Sequence, residues 1–336
     1  MIELKLATSK DTKDWDDLVE KASFSTIFHK WEWLKIVEKY TNGKLYPVIV
    51  YKGDTPTGVY PLFYSKKKFI KMVFSPPPRA LLLYLGPIFV DFESLKQSKR
   101  ESLLLETQER INEFVTGFKP NYIRIRTVPG LIDSRHFKWT GYEVEPLYTY
   151  MVDLSGGIEN VWKGLRKELR RNINKAQVEG VTIEEGFIED LHYIDEALTR
   201  RFEEQGESRK SYKPYLSELY NSFHPHHLKI FVAKYKGERI TGQIVVCHKD
   251  RVSLWAGSPK TNFLRGTPND LLQWEIIKWA CEEGYKRVEI MDAGDDPRLR
   301  HFKAKFNPEL VPWYSAVKYS SFIFKGLEKL IRKFRS

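Results

Sequence analysis

The sequence predicts an α/β protein of the α+β kind, with mixed sheets, built as two similar domains. Helical and β-favouring segments alternate along the chain. The order helices, hairpin, strand, long helix, strand, strand occurs twice, as a repeat of pattern and not of residues. A length of 336 residues is enough for two domains. We predict an N-terminal domain at 1–153, a C-terminal domain at 154–320 and a basic amphipathic helix at 321–336.

The composition is that of a folded cytoplasmic protein. Hydrophobic residues make up 42% and aromatic residues 14% of the chain, which is ample for a packed core. Apolar runs are too short to cross a membrane, and MIELKLATSK at the N-terminus lacks the apolar region of a secretion signal. The net charge of +11 favours polyanionic partners, which are RNA, a pyrophosphate-bearing substrate or an anionic membrane surface.

The first half contains two helices, a hairpin, a strand, a long helix and two further strands. Apolar periodicity, β-favouring residues and turn residues set the bounds. In order, the segments are Trp15–Ala22, Trp31–Tyr40, Leu45–Tyr51, Gly58–Tyr64, Phe69–Phe74, Glu93–Phe118, Tyr122–Arg126 and Leu147–Leu154.

The second half repeats this order after a joint near Asp153–Gly157, and the interface between the two halves would be a natural cleft. In order, its segments are Asp190–Gln205, Tyr215–Phe223, Leu228–Tyr235, Ile240–His248, Arg251–Gly257, Pro268–Glu283, Arg287–Met291 and Trp313–Tyr319.

The stretch from Gly266 to Phe306 organises the second half. Pro268 suits the first turn of a long helix, and Gly284 suits its C-terminal cap. After the strand come an acidic loop, Asp292–Pro297, and a short basic helix. Because α/β folds place ligands after strand ends, this loop is a candidate site. The alternative is an ordinary segment whose charges are solvated.

A helix over Asn160–Gly180 has one apolar and one basic face. Solvated helix faces usually mix charges, so a face of one sign favours a phosphate or RNA track. The alternative is a solvated face balanced by Glu184, Glu185 and Glu189. The basic residues of this helix are Lys163, Arg166, Lys167, Arg170, Arg171 and Lys175.

The C-terminal segment 322–335 also has an apolar and a basic face. Such a helix can lie on an anionic bilayer, as a peripheral contact at the inner membrane face, or dock onto its own domain.

Two segments resemble the Fem family of non-ribosomal peptidyltransferases, within the GNAT-fold acyltransferases. The run Arg170-Arg171-Asn172-Ile173-Asn174-Lys175-Ala176 with Gly180-Val181 is similar to the basic helix of that family. Ala280, Gly284, Glu289 and Asp292, followed by Phe302-Lys303 and Phe306, resemble the A-x-x-x-G, strand-borne Asp, Gly loop and F-K-x-x-F ending of that family.

The resemblance implies tandem GNAT-like domains packed side by side, with the active site in a channel near their junction. It implies transfer of an aminoacyl group, often from aminoacyl-tRNA, to an amine of a peptide or lipid-linked precursor. Two departures stand out. There is no room for the helical hairpin of some Fem members, and Thr261–Thr267 does not fit the pyrophosphate loop of acyl-CoA enzymes, so acetyl-CoA is the weaker donor.

From the resemblance, Lys303 contacts phosphate or the developing oxyanion, and Arg171 and Lys175 contact substrate phosphates. Asp292, at the strand end, is a base or amine-orienting candidate, or simply a turn residue beside Gly294. The candidate site comprises Lys303 and Asp292 as catalytic residues and Arg170, Arg171, Lys175, Arg298 and Trp255 as substrate-binding residues.

We expect no metal and no cofactor. Cys247 and Cys281 read as buried thiols, and His224, His226 and His227 as a loop and not a zinc site. The expected partners are an aminoacyl-tRNA or acyl carrier as donor and a phosphate-bearing acceptor, with no DNA. The rival functions are an acyl-CoA-dependent N-acetyltransferase and a non-catalytic RNA- or membrane-binding module.

Overall fold

The computed structural model describes residues 1–204, 206, 210–258, 267–321 and 324–325. These fall into two compact units. The first is Met1–Tyr148 with the described residues from Pro312 onward, and the second is Thr149–Val311. Residues 312–319 thus group with the first unit, whereas the sequence-based boundaries put them in the second domain. The domain boundaries at 153 and 320 stay a prediction.

The first unit contains a mainly antiparallel sheet with one parallel pair. Its strands run in the order β1, β2, β3, β4, β6, with β5 beside β3, and only β4 and β6 of these pair in parallel. The elements are β1 (Ile2–Leu6), α1 (Thr12–Lys21), α2 (Trp31–Tyr40), β2 (Lys44–Lys52), β3 (Thr55–Lys67), β4 (Ile70–Ser75), β5 (Ile88–Phe89), α3 (Gln97–Thr116), β6 (Tyr122–Arg126) and α4 (Arg135–Trp139).

The second unit repeats the hairpin, strand, long helix and strand. Its strands run in the order β7, β12, β11, β10, β9, β8, and β11 and β12 are parallel. The elements are β7 (Glu143–Asp153), α5 (Ile158–Gly164), α6 (Lys167–Val178), β8 (Val181–Glu185), α7 (Ile188–Glu204), α8 (Lys213–Phe223), β9 (Leu228–Tyr235), β10 (Glu238–His248), β11 (Arg251–Gly257), α9 (Pro268–Glu282), β12 (Arg287–Met291) and α10 (Pro297–Ala304). The last strand, β13 (Glu309–Tyr319), pairs with β6 through its final residues.

The core of the second unit lies between α6, α9 and one face of the sheet. Leu169, Ile173 and Ala176 of α6 are fully buried there, beside Val288 and Ile290 of β12. The apolar face predicted for α6 is therefore confirmed. Burial of each such aliphatic side chain contributes about 1.5–3 kcal/mol, which holds α6 in place despite its charged outer face.

The single helix predicted over Asn160–Gly180 is wrong at its middle. Leu165 and Arg166 are extended and separate α5 from α6. Two contacts stabilise the break: Leu165 is buried, and the Arg166 N–H donates to the Lys305 carbonyl at 3.1 Å. The Arg170 guanidinium then donates to the carbonyl oxygens of Trp162 and Lys163 in the last turn of α5.

The predicted thiols and C-terminal helix are only partly described. Cys247 is buried, as predicted, and Cys281 is half-buried. Most of 322–335 lies outside the described residues, but Lys325 forms an ion pair with Glu143. Among the helices that the structure describes, none has the length and apolar character needed to cross a membrane.

Gly284 ends α9 as predicted. It has φ +84°, and the N–H groups of Gly284 and Tyr285 bond to the carbonyls of Cys281 and Ala280, which is a Schellman motif. An added Cβ would meet nothing within 4 Å, so the cost of a side chain here is conformational alone.

We predict that Gly284→Ala destabilises the protein by about 1–2 kcal/mol, because an L-residue pays that penalty in the left-handed region. The measurement is the urea unfolding midpoint. Gly117→Ala is the matched control, since Gly117 has φ −58° and an alanine there should be neutral or slightly stabilising. Equal midpoints for the two variants would contradict the prediction.

Candidate active site

The parallel strands β11 and β12 separate at their carboxyl ends. They pair at Arg251–Arg287, Val252–Val288 and Ser253–Glu289 and no further, although β11 continues to Gly257 alongside β10. Beyond Ser253, the β12-facing edge of β11 has no strand partner among the described residues. The carboxyl ends of parallel strands are where α/β proteins bind ligands, so this separation marks the candidate site.

Glu289 lies at the last paired position, and its side chain is fully buried. One carboxylate oxygen accepts a hydrogen bond from Thr149 Oγ1 at 2.7 Å, and the other accepts one from Ser253 Oγ at 2.8 Å. These bonds connect three adjacent strands. A buried carboxylate without such donors would cost several kcal/mol, so the hydroxyls are what permit an acid here.

The face of the sheet that carries Glu289 is opposite to the core face. Val288 and Ile290 pack into the core, so by strand alternation Glu289 points the other way. The same alternation puts Ser253 and Trp255 of β11 on the Glu289 face. Trp255, predicted to bind substrate, is 8% exposed and lies two residues beyond the point where pairing ends.

Lys303 of α10 directs its ammonium at the end of β12. Its Nζ donates to the carbonyl oxygens of Ile290, Met291 and Asp292 at 2.7, 3.1 and 2.7 Å. An ammonium has three N–H donors, so each one has a backbone acceptor. Met291 has φ +60°, and the register of β12 against β7 shifts beside it, which makes this end of the strand a bulge.

Burial lowers the pKa of Lys303 to about 8, against the opposing effect of the Asp292 and Glu289 carboxylates. Lys303 therefore exchanges its proton closer to neutral pH than an ordinary lysine does. A buried lysine with such a pKa is typical of a functional site.

Asp292 and Arg298 belong to the loop that follows β12. Asp292 accepts the Gly294 N–H at 2.8 Å, which is the turn-forming contact that its position favours. Asp296 caps α10 by accepting the Arg298 N–H at 2.8 Å, and the Arg298 guanidinium pairs with the same carboxylate at 3.1 Å. The Arg298 side chain is still 75% exposed and open to solvent.

The basic residues of α6 divide into structural and exposed ones. Arg170 is half-buried as the cap of α5, whereas Arg171 and Lys175 are exposed. Two acids adjoin this face: Glu168 pairs with Lys305 at 3.1 Å, and Glu179 pairs with Lys175 at 3.9 Å. The basic face of α6 still keeps an excess of positive charge.

The structure brings Lys303, Asp292 and Glu289 together at one strand end, with Trp255 on the same sheet face. Lys305, at the end of α10, pairs with Glu168 of α6 at 3.1 Å, so the helix that carries Lys303 contacts the basic face of α6. Sequence reasoning did not single out Glu289, Ser253 or Thr149 as site residues. An acid between Val288 and Ile290 in a buried strand was the available signal.

The first turn of α9 contains a buried acid. Asp270 is 2% exposed and accepts a hydrogen bond from Asn172 of α6 at 2.8 Å. An acid in the first turn of a helix interacts favourably with the helix dipole.

Comparisons with known proteins place this architecture. Residues 163–303 match a family model described as an acetyltransferase (GNAT) domain. The fold is similar to that of FemX, with a TM-score of 0.71 and 14% identity, over 93% of this chain and 96% of that one. No curated protein sequence matches the chain.

Two further solved structures are similar over nearly the whole chain. One is a C-terminal domain (DUF2156) assigned to a lysylphosphatidylglycerol synthetase from Agrobacterium fabrum, with a TM-score of 0.57, 14% identity and 96% of each chain covered. The other is a tandem GNAT protein from the clavulanic acid biosynthesis pathway, with a TM-score of 0.54, 10% identity and 96% and 99% covered. The predicted α/β fold with tandem, Fem-like GNAT domains is confirmed, and so is the prediction of an acyltransferase.

The lowered pKa of Lys303 predicts a stability change at alkaline pH. The unfolded chain, with a lysine pKa of ~10.4, holds more protons than the folded one between about pH 8 and that value. Stability then rises with pH through this window. We expect the difference in urea midpoint between the wild type and Lys303→Met to change in favour of the wild type from pH 8 to 10. A constant difference would contradict the prediction.

Proposed function

Because the chain carries a GNAT acetyltransferase domain in a Fem-like fold, we propose that it transfers an aminoacyl or acyl group to an amine of a phosphate-bearing precursor, lipid- or nucleotide-linked. The observation that supports this most is the separation of β11 and β12 beside the buried charges of Glu289 and Lys303. It offers a place for an acyl group next to groups that can carry a proton and oppose a negative charge.

Acyl transfer to an amine needs few dedicated groups. The amine must lose a proton, and the oxyanion of the tetrahedral intermediate needs a compensating charge or donor. We assign the second role to the positive charge of Lys303, acting on the oxyanion from its place at the end of β12. Asp292, half-buried beside it, would orient the amine. Holding both substrates side by side supplies much of the remaining acceleration.

We assign phosphate contacts to Arg171, Lys175 and Arg298, whose side chains are exposed. Arg170 would act indirectly, because its guanidinium caps α5 and so fixes the start of α6. Trp255 would pack against the apolar part of a substrate on the Glu289 face.

For the donor we favour an aminoacyl-tRNA over acyl-CoA. The net charge of +11 and the basic face of α6 suit a polyanion. The buried Asp270 carboxylate disfavours a pyrophosphate at the N-terminus of α9, since the two anions would repel each other. The description of the matching family, an acetyltransferase domain, keeps acetyl-CoA as the second candidate.

The acceptor and the place of action are proposed more broadly. A lysylphosphatidylglycerol synthetase among the similar structures supports testing lipid-linked acceptors as well as nucleotide-linked ones. We propose that the protein works in the cytoplasm. Peripheral contact between residues 322–335 and the inner face of the membrane is a further proposal to test.

The test of the donor is a direct comparison. Radiolabelled aminoacyl-tRNA and radiolabelled acetyl-CoA are each incubated with the protein and with phosphoethanolamine, a phosphate-bearing amine. We expect enzyme-dependent label in the amide product from aminoacyl-tRNA and little from acetyl-CoA. The reverse pattern would replace the donor, and binding of RNA or anionic vesicles without transfer from either donor would favour a non-catalytic module.

The basic face of α6 gives a separate prediction. Reversing two charges with Lys167→Glu and Arg171→Glu should weaken tRNA binding strongly. The slope of the logarithm of the tRNA association constant against the logarithm of salt concentration should fall by the amount expected for the loss of roughly two phosphate contacts. Binding is measured by fluorescence anisotropy at several salt concentrations. Arg201→Glu, an exposed arginine on α7, is the control. Equal losses for the control and the double variant would show a general charge effect and contradict the assignment.

A further inference from the structure

The acceptor amine must give up a proton, and Glu289 is the fully buried carboxylate of the cluster at the end of β12. We infer that Glu289 is the general base that accepts the proton of the acceptor amine and that the hydroxyl of Ser253 relays the proton to it. This inference rests on the proposed acyl transfer and adds a catalytic pair to it.

The burial of Glu289 supports a relay. Glu289 has no exposed surface, and its two carboxylate oxygens accept hydrogen bonds from Ser253 Oγ at 2.8 Å and Thr149 Oγ1 at 2.7 Å. A proton can therefore pass to the carboxylate along the hydrogen bond from Ser253. Ser253 is the last residue of β11 that pairs with β12, so its hydroxyl lies at the point where the two strands begin to separate. Thr149, on β7, holds the other oxygen and fixes the carboxylate.

The neighbouring charges leave this role to Glu289. Asp292 is engaged by the Gly294 N–H, and the three donors of Lys303 are engaged by backbone carbonyls. Lys303 interacts electrostatically with both carboxylates. A protonated Glu289 would remove one negative charge from the cluster as the oxyanion adds one, so the net charge around Lys303 stays constant during the reaction.

The proton balance closes with solvent as the final acceptor. The substrate ammonium gives one proton to Ser253 Oγ while the Ser253 proton passes to Glu289, and the neutral nitrogen then bonds to the acyl carbon of the donor ester. The carbon–oxygen bond to the donor breaks, and the departing oxygen takes a second proton from the nitrogen. Glu289 returns its proton to solvent through Ser253, which leaves an amide, a free hydroxyl on the donor and the carboxylate of Glu289.

The experiment compares two acceptors. Phosphoethanolamine is a protonated alkylamine at neutral pH and needs a base, whereas hydroxylamine is already neutral there. Transfer from labelled aminoacyl-tRNA and acetyl-CoA is measured for the wild type, Glu289→Gln and Ser253→Ala, with enzyme-free reactions subtracted. Ser315→Ala, a buried serine of the first unit to which no role is assigned, is the control.

We expect both variants to lose about 10²–10⁴-fold in kcat/KM with phosphoethanolamine, which is the usual contribution of a general base. The loss with hydroxylamine should be much smaller, and alkaline pH should partly restore the phosphoethanolamine reaction. Ser315→Ala should retain wild-type rates. Urea midpoints show which variants are folded, and Ser253→Ala tests the relay if Glu289→Gln does not fold.

Two results overturn the relay while leaving the proposed function standing: wild-type rates in both variants, or equal losses with both acceptors, which indicate a structural role for Glu289. Absence of transfer by the wild type with either donor and either acceptor contradicts the proposed function and removes the relay with it.

Discussion

The second unit depends on how the free backbone groups at the end of β12 are satisfied. Where β11 turns away, the ladder can no longer pair the carbonyls of β12, and unpaired buried carbonyls are rare because they are costly. Lys303 reaches back from α10 and donates to three consecutive carbonyls at 2.7–3.1 Å. One ammonium thus allows the strands to separate, fixes the bulge at Met291 and sets where the loop Asp292–Asp296 leaves the sheet. An arginine or a neutral side chain could not supply three converging N–H donors from a single atom.

The carboxylates of Asp292 and Glu289 both favour the charged form of Lys303. A buried charge costs several kcal/mol unless it is compensated, so neither Lys303 nor Glu289 can be considered alone. Each also has uncharged partners, which are carbonyls for the ammonium and the hydroxyls of Thr149 and Ser253 for the carboxylate. The cluster therefore places an ammonium and a carboxylate, each held by neutral partners, beside a strand edge that the described sheet leaves open.

Local sequence signals were enough to predict the helices and strands, but not the contacts between residues that are far apart in the sequence. The ends of α9 were predicted from Pro268 and Gly284, because helix capping depends on nearby residues. The apolar face of α6 was predicted from the spacing of its apolar residues. The break between α5 and α6 was missed because it depends on Arg166 bonding to Lys305, which is far away in the sequence. Glu289 was not predicted as a site residue for the same reason, because its place in the site depends on hydrogen bonds from Thr149 and Ser253 on other strands. Lys303 was predicted as a site residue from a family resemblance, and its backbone partners could come only from the structure.

The internal repeat indicates which of the two units carries the chemistry. Both have a parallel strand pair followed by a loop and a helix that begins with an Asp-x-Arg ion pair, Asp133 with Arg135 in the first unit and Asp296 with Arg298 in the second. In each unit, the third residue of the later strand of the parallel pair lies opposite a residue of the earlier strand. That position is Glu289 beside Ser253 in the second unit, whereas in the first it is Arg124, whose guanidinium lies 5.2 Å from the ring of Phe74. A cation over an aromatic ring ties two strands together but accepts no proton, because an arginine stays charged at all physiological pH values. The same backbone frame thus holds a carboxylate and a hydroxyl in one unit and a cation–π contact in the other, which supports the proposal that acid–base chemistry belongs to the second unit.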